Sequence, residues 1–236
     1  MSLLILLTTT GCLPTMSASI LAIIEDSSGN PIAEPNIEIR SWDGTLVSEI
    51  TGASDGSFTA DLPPFQEFFV VASKEGYPPA SFTGYSGEGA YSVPSGTLWL
   101  RTESEVDTAL ADFGDCYSPE GSSGGVIEGL AKLFISGELL DNLPTITTAT
   151  AEVTLTEDTG IDGCYTPELS DDGAVIPSEN TGDSGRYAVF NVDEGAHELV
   201  VTLDVEGSTY EYPYLVYVPE DGVTPMIPTL IPFLEQ

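Results

Sequence analysis

The sequence predicts an all-β chain built as two tandem antiparallel β-sandwich modules of the prealbumin-like or immunoglobulin-like kind. Three observations carry that expectation. Apolar residues recur at the two-residue spacing of strands, whose side chains alternate between faces, and not at the spacing of an amphipathic helix. Turn-forming residues punctuate the chain, with 24 glycines and 17 prolines among 236 residues, as short strands joined by tight bends require. The length suits two domains, and a hydrophobic share of 41% gives each enough material for a core.

Residues 17–105 are expected to form the first sandwich. Residues 20–24 are a continuous apolar run, Ile37 and Ile39 alternate with Glu38 and Arg40, and Phe58, Ala60 and Leu62 alternate with Thr59 and Asp61. Between these strands, Ser28-Gly29-Asn30-Pro31, Asp43-Gly44 and Asp55-Gly56 mark turns, because glycine tolerates positive φ and an Asx side chain hydrogen-bonds the backbone ahead of it. Residues 106–128 are expected to be a linker, with helical potential for a turn or two at 108–113 and a glycine and serine stretch at 120–125. The second sandwich, 129–236, repeats the strand pattern at 133–135, at Val153 and Leu155, at Tyr187 and Val189, and at Leu199, Val201 and Leu203. Its end, 226–232, is apolar but broken by Pro228 and Pro232, which assigns it to a sheet edge.

An internal repeat supports two modules, since residues 55–62 parallel residues 184–192. The first half carries Asp26-Ser27-Ser28-Gly29-Asn30-Pro31-Ile32, Asp55-Gly56-Ser57-Phe58, Leu62-Pro63 and Lys74-Glu75-Gly76-Tyr77; the second carries Gly185-Arg186-Tyr187 and Val192-Asp193-Glu194-Gly195. On these motifs the chain resembles the carboxypeptidase regulatory-like and transthyretin-like sandwich families. The resemblance covers most of the first module and less of the second, where 157–181 form an insertion. It implies a fold and no active site, because the zinc ligands of the carboxypeptidases belong to a separate catalytic domain.

Residues 3–7 form a short apolar run followed by Thr8, Thr9, Thr10, Gly11 and Cys12. A spanning helix needs about 20 apolar residues, so the run does not cross a bilayer. Small residues leading to a cysteine resemble the bacterial lipoprotein signal. That resemblance implies export and lipidation at Cys12, with residues 1–16 as signal and tether. The protein would then sit in the cell envelope, on the outer membrane facing the periplasm or on the cell surface, with the membrane as a partner through the N-terminal lipid. Thr9 stands where the family prefers leucine, and no basic segment precedes the run; a start codon further upstream would supply one. The alternative is a buried N-terminal strand with an incidental cysteine.

The chain has three cysteines, and setting Cys12 aside leaves Cys116 and Cys164 as an even pair in a compartment where disulfides persist. They stand in matching pentapeptides, Cys116-Tyr117-Ser118-Pro119-Glu120 and Cys164-Tyr165-Thr166-Pro167-Glu168, and are expected to pair. Two free buried thiols are the alternative.

Five basic residues oppose 38 acidic ones, for a formal charge of −33, which repels phosphate backbones and sets nucleic acid aside as a partner. Such acidity reads as a solvated surface or as a cation-binding one. His197 is the single histidine, too few for a histidine metal site and read as exposed. Gly121-Ser122-Ser123-Gly124-Gly125 has nucleophile-elbow spacing without the strand-to-helix context that makes the serine work. Asp158, Asp162 and Gly163 echo a calcium loop, but Gly160 and Leu169 stand where ligands are required, which excludes an EF-hand and leaves an irregular site from Asp158, Asp162, Asp171 or Asp172 open. Lys132 matches the lysine of isopeptide-locked sandwiches of the collagen-adhesin B type, yet residues 224–236 hold no asparagine or aspartate to receive it. No cofactor, metal or catalysis is expected.

Trp42, Tyr77, Tyr85 and Tyr91, with Trp99, are candidates for an aromatic platform that stacks on pyranose faces, as in starch-binding sandwiches. Ordinary packing is the alternative, and Trp99, inside Leu98-Trp99-Leu100, is read as structural. The expected function is therefore a non-catalytic structural or interaction module meeting an unidentified protein or glycan. A carbohydrate-binding lipoprotein using those exposed aromatics is the other reading.

Overall fold

The computed structural model describes residues 17–116, 124–134, 147–148, 151–156, 163–165, 168–169, 175–176, 181, 185–205, 208–226 and 229–232. Cys12, Ser123 and the four aspartates of the open calcium site lie outside the described residues. Eight strands come first: β1 (Ala18–Asp26), β2 (Asn36–Ser41), β3 (Leu46–Thr51), β4 (Ser57–Leu62), β5 (Glu67–Lys74), β6 (Tyr77–Tyr85), β7 (Gly89–Ser92) and β8 (Leu98–Leu100). A helix, α1 (Glu103–Leu110), and a 3-10 segment (Ala111–Cys116) follow. Then come β9 (Gly125–Phe134), β10 (Thr147–Thr148), β11 (Ala151–Leu155), β12 (Cys164–Tyr165), β13 (Glu168–Leu169), β14 (Val175–Ile176), β15 (Arg186–Val192), β16 (Gly195–Val205), β17 (Ser208–Val218), β18 (Val223–Pro225) and β19 (Thr229–Pro232). The chain is an all-β sandwich protein.

In the first sandwich, β1 pairs with β4 antiparallel and with β7 and β8 in parallel, and this layer faces β3, β2, β5 and β6. The apolar run of β1 divides by face: Ile20, Ala22 and Ile24 are buried while Leu21 is exposed. Those residues meet Ile37 and Ile39 of β2, Phe58, Ala60 and Leu62 of β4, and Phe68, Val70, Ala72 and Phe82 in one core. The turns form as their residue types dictate. Gly29, Gly44 and Gly56 take φ of 81°, 82° and 76°. Asp26 accepts from the Ser28 and Asn30 amides at 2.9 and 2.8 Å, Asp43 from Thr45 and Asp55 from Ser57, both at 3.1 Å. Hydrogen bonds to the ionised form hold all three carboxyls below their ordinary value.

In the second sandwich β11, β16 and β17 form one layer and β12, β15, β9 and β18 belong to the other. Val153, Leu155, Tyr187, Val189, Leu199 and Val201, read from the sequence as strand positions, pack together with Ile127 and Val216.

Residues 106–128, expected to be linker, hold most of α1, the 3-10 segment and the start of β9. Thr102 caps the helix: its hydroxyl accepts from the Glu105 amide, and the Glu105 carboxylate accepts from the Thr102 amide at 2.7 Å. Val106, Leu110 and Phe113 then bury against Val126, Ala188, Phe190 and Val223. The helix is a packed cover over the second sandwich's sheet, because its few apolar residues share one face.

The two sandwiches are joined by their backbones. β18 lies parallel to β6, with Val223 opposite Ala80, and parallel to β9, which merges both modules into one ten-stranded sheet. Paired residues share a face, so the Ala80 and Val223 face carries β1, β4, β7 and α1. The opposite face carries β16 and β17: Phe69 and Val71 meet Tyr217 there, and the Thr83 hydroxyl donates to the Leu215 carbonyl at 3.2 Å.

Candidate functional site

A cleft of about 490 Å³ opens where the sandwiches meet, on the face of the shared sheet that carries α1, a volume within the usual range for small-ligand sites. One wall is Trp99. Leu98 and Leu100 on either side of it are buried, and alternation along β8 turns Trp99 the other way, out of the core and into the cleft. Arg101, two residues on, places its guanidinium 5.2 Å from the Trp99 ring centre and ion-pairs with Glu128 of β9. The facing wall comes from α1 and β15. Arg186 lies 5.2 Å from the Phe113 ring centre, donates to the Ala109 carbonyl at 2.9 Å and pairs with Asp112. Phe113 is braced edge-on by Phe190, with ring centres 5.9 Å apart.

Phe82, Thr97, Ala109, Gly129, Tyr187 and Met226 add to the lining. Gly129 is required there, since a Cβ would stand 2.5 Å from the Tyr187 hydroxyl oxygen. Two of the five basic residues in the chain line this cleft, each matched by a carboxylate, so among the described residues these charges balance within a strongly acidic molecule. Arg101 and Glu128 are 12% and 14% exposed, Arg186 and Asp112 31% and 60%. The first pair is therefore largely withdrawn from water, where its charge-assisted bonds are stronger. The chemistry on offer is recognition by flat apolar rings flanked by paired donors and acceptors.

The aromatic candidates are not gathered on one face. Trp42, Tyr85 and Tyr91 are 54%, 66% and 52% exposed. Trp42 and Tyr85 come to the same end of the shared sheet, because Ser41 stands opposite Phe68 and Glu67 opposite Tyr85. Tyr77 begins β6 at the other end and packs against the first core, and Tyr91 lies on β7 in the opposing layer. Trp99, read as structural, is the one of these five that lines the cleft. The one local signal for it was that Trp99 and Arg101 lie two apart, hence on one side of an extended chain; the partners Glu128 and Arg186 come from far along the sequence.

His197 and Cys164 are not among the residues that line the cleft. His197 is close to the Asp193 carbonyl, with its Nε2 at 2.9 Å. Cys164 packs against the core beneath α1, and the 3-10 segment that ends at Cys116 packs against β12. Among the described residues no three His, Cys, Asp or Glu side chains are grouped to hold a metal ion, and no helix is long and apolar enough to cross a membrane.

No family model and no curated protein matches the chain. Solved structures similar to it include the Bacillus anthracis TIE protein, at 12% identity and TM-score 0.29, covering 92% of this chain and 34% of that one. The shaft pilin SpaA from Lactobacillus rhamnosus GG shows 10% identity and TM-score 0.30, covering 92% and 100%. A Bacteroides uniformis protein described as carbohydrate-binding shows 13% identity and TM-score 0.28, covering 86% and 98%. The chain spans about a third of the TIE protein and 62% of a streptococcal ancillary pilin. Likenesses this distant carry no argument about function.

Proposed function

We propose that this chain is a non-catalytic structural or interaction module of the cell envelope, held at the membrane by a lipid on Cys12. The observation that carries the reading is the shared sheet. A stretch of ten strands with packed layers on opposite faces makes a stiff body, suited to holding a recognition surface at a fixed distance from a tether. The apolar run leading to Cys12 serves as the export signal, the acyl chains on Cys12 are the tether, and two or more chains hold firmly where one binds only marginally. A Cys116–Cys164 bridge belongs to the same reading. The packing of the 3-10 segment against β12 supports it, and the bridge would fasten the α1 cover to the second sandwich.

Intact mass of the protein from membrane fractions tests all of this. The expected species begins at Cys12, carries acyl chains, and gains the mass of a hydrogen pair on reduction. The full, unmodified chain in the soluble fraction would overturn the reading. A glycan-binding role is the second reading, and it is favoured by the cleft beside Trp99 in place of the dispersed Trp42, Tyr77, Tyr85 and Tyr91.

A further inference from the structure

We infer that the cleft between the sandwiches is a binding site for one neutral hydroxylated ring, a pyranose unit of a glycan. The inference deepens the glycan reading and does not depend on where the protein resides. It stands on the charge arrangement of the walls and on the aromatic surfaces between them.

Each guanidinium in the cleft already has a carboxylate partner, which decides the ligand's charge. An anion would have to approach a chain of formal charge −33 and then compete with Glu128 and Asp112 for the arginines. A cation would be drawn by the overall charge but would have to compete with Arg101 and Arg186 for Glu128 and Asp112. A wholly apolar ligand would cover two ion pairs without bonding to them, and desolvating charge without compensation is costly. A hydroxyl both donates and accepts, so a polyhydroxylated ring satisfies guanidinium and carboxylate together without breaking either pair. The C–H face of such a ring matches the flat area of Trp99, the partly exposed ring of the cleft, while the buried Phe82 and Phe113 supply apolar floor beside it. Arg101 and Phe190 hold Trp99 and Phe113 in position before a ligand arrives, which lowers the entropic cost of binding.

The chain has two tryptophans, so Trp42→Phe leaves Trp99 as sole reporter of the cleft, and Trp99→Phe leaves Trp42. Fluorescence and calorimetric titrations would use methyl glucosides, methyl galactosides, methyl mannosides, N-acetylglucosamine and their disaccharides. Glucuronate and glucosamine serve as anionic and cationic probes. At least one neutral sugar is expected to change Trp99 emission saturably, with both charged probes at least tenfold weaker. Ala109→Phe and Thr97→Phe each fill the cleft from a different wall, and either one, if folded, is expected to weaken that sugar at least tenfold.

Tighter binding of glucuronate or glucosamine would overturn the inference. Saturable sugar binding that moves only Trp42, or that is unaffected by a folded cleft-filling variant, would overturn the site and keep the glycan reading. Silence of every sugar by calorimetry would overturn both.

Discussion

Tyr217 is the residue on which the two halves of the molecule lean hardest. It is 2% exposed, with the Phe69 ring centre 5.6 Å away, the Arg40 guanidinium 4.7 Å from its own ring centre, and its hydroxyl donating to Glu194 at 2.9 Å. Burial, then the bond to Glu194, pushes its pKa up from 10.0 to about 12. The unfolded phenol gives up its proton at the ordinary value, so the folded state holds that proton more tightly. The resulting stability is complete below pH 10 and is lost as pH rises towards about 12. Tyr214 is raised to about 12 as well, by burial and the neighbouring Tyr212, so Tyr217→Phe is expected to shallow the alkaline loss of stability without abolishing it. Urea unfolding across that window checks this, and equal slopes would refute it. Two glycines offer a second test. Gly56, at φ 76°, would put a Cβ 2.7 Å from the Ile24 carbonyl oxygen, whereas Gly76, at φ 87°, would put one in open space. Gly76→Ala is expected to cost about 1 kcal/mol for the left-handed backbone alone, and Gly56→Ala about 2 kcal/mol or more. Denaturation midpoints that moved equally would show that the contact at Ile24 is not felt.

At the scale of single elements, α1 is fixed by its first turn. Removing the cap with Thr102→Ala is expected to destabilise by about 1 kcal/mol, and amide exchange should rise in α1 and in the 3-10 segment beyond it before it rises in β5. The Glu105 carboxyl also accepts from Ser27 at the β1 turn, so the cap ties the helix to the first sandwich as well. If exchange rises in β5 as much as in α1, the cap does not govern a local unit. What the sequence disclosed at this scale follows from period and punctuation. Phe58, Ala60 and Leu62 declare a strand because alternation marks one buried face, and Gly29, Gly44 and Gly56 mark the turns between the first four strands. α1 was only half visible: Thr102 and Glu105 have capping-box spacing, but Val106, Leu110 and Phe113 are too few for a helical stripe to stand out. Of the cleft only the two-residue spacing of Trp99 and Arg101 was local, since β8, α1, β9 and β15 meet through the tertiary fold.

For the whole molecule, the shared sheet sets how the chain comes apart. Two sandwiches on a loose tether would unfold separately, each with its own midpoint. Here β18 covers part of the β6 edge, with Val223 opposite Ala80, and Phe69 and Val71 are buried with Tyr217, beside Ala196 and Leu215. Losing the second sandwich would expose a strand edge and an apolar patch together, both of which promote association. A fragment of residues 17–116 is therefore expected to self-associate, or to melt well below the full chain. The full chain should unfold in one transition, with tryptophan fluorescence, which reports residues 42 and 99, coinciding with far-ultraviolet circular dichroism, which reports every strand. A monomeric fragment that melts at the full chain's midpoint would show that the backbone junction at Val223 and Ala80 carries no cooperativity. The cleft would then lie between bodies free to part, and its affinity for a sugar should fall with temperature well before either core melts. A single transition instead ties the walls of the cleft to global stability, so ligand binding should raise the one melting temperature, and go on raising it with the logarithm of free ligand after the site is saturated.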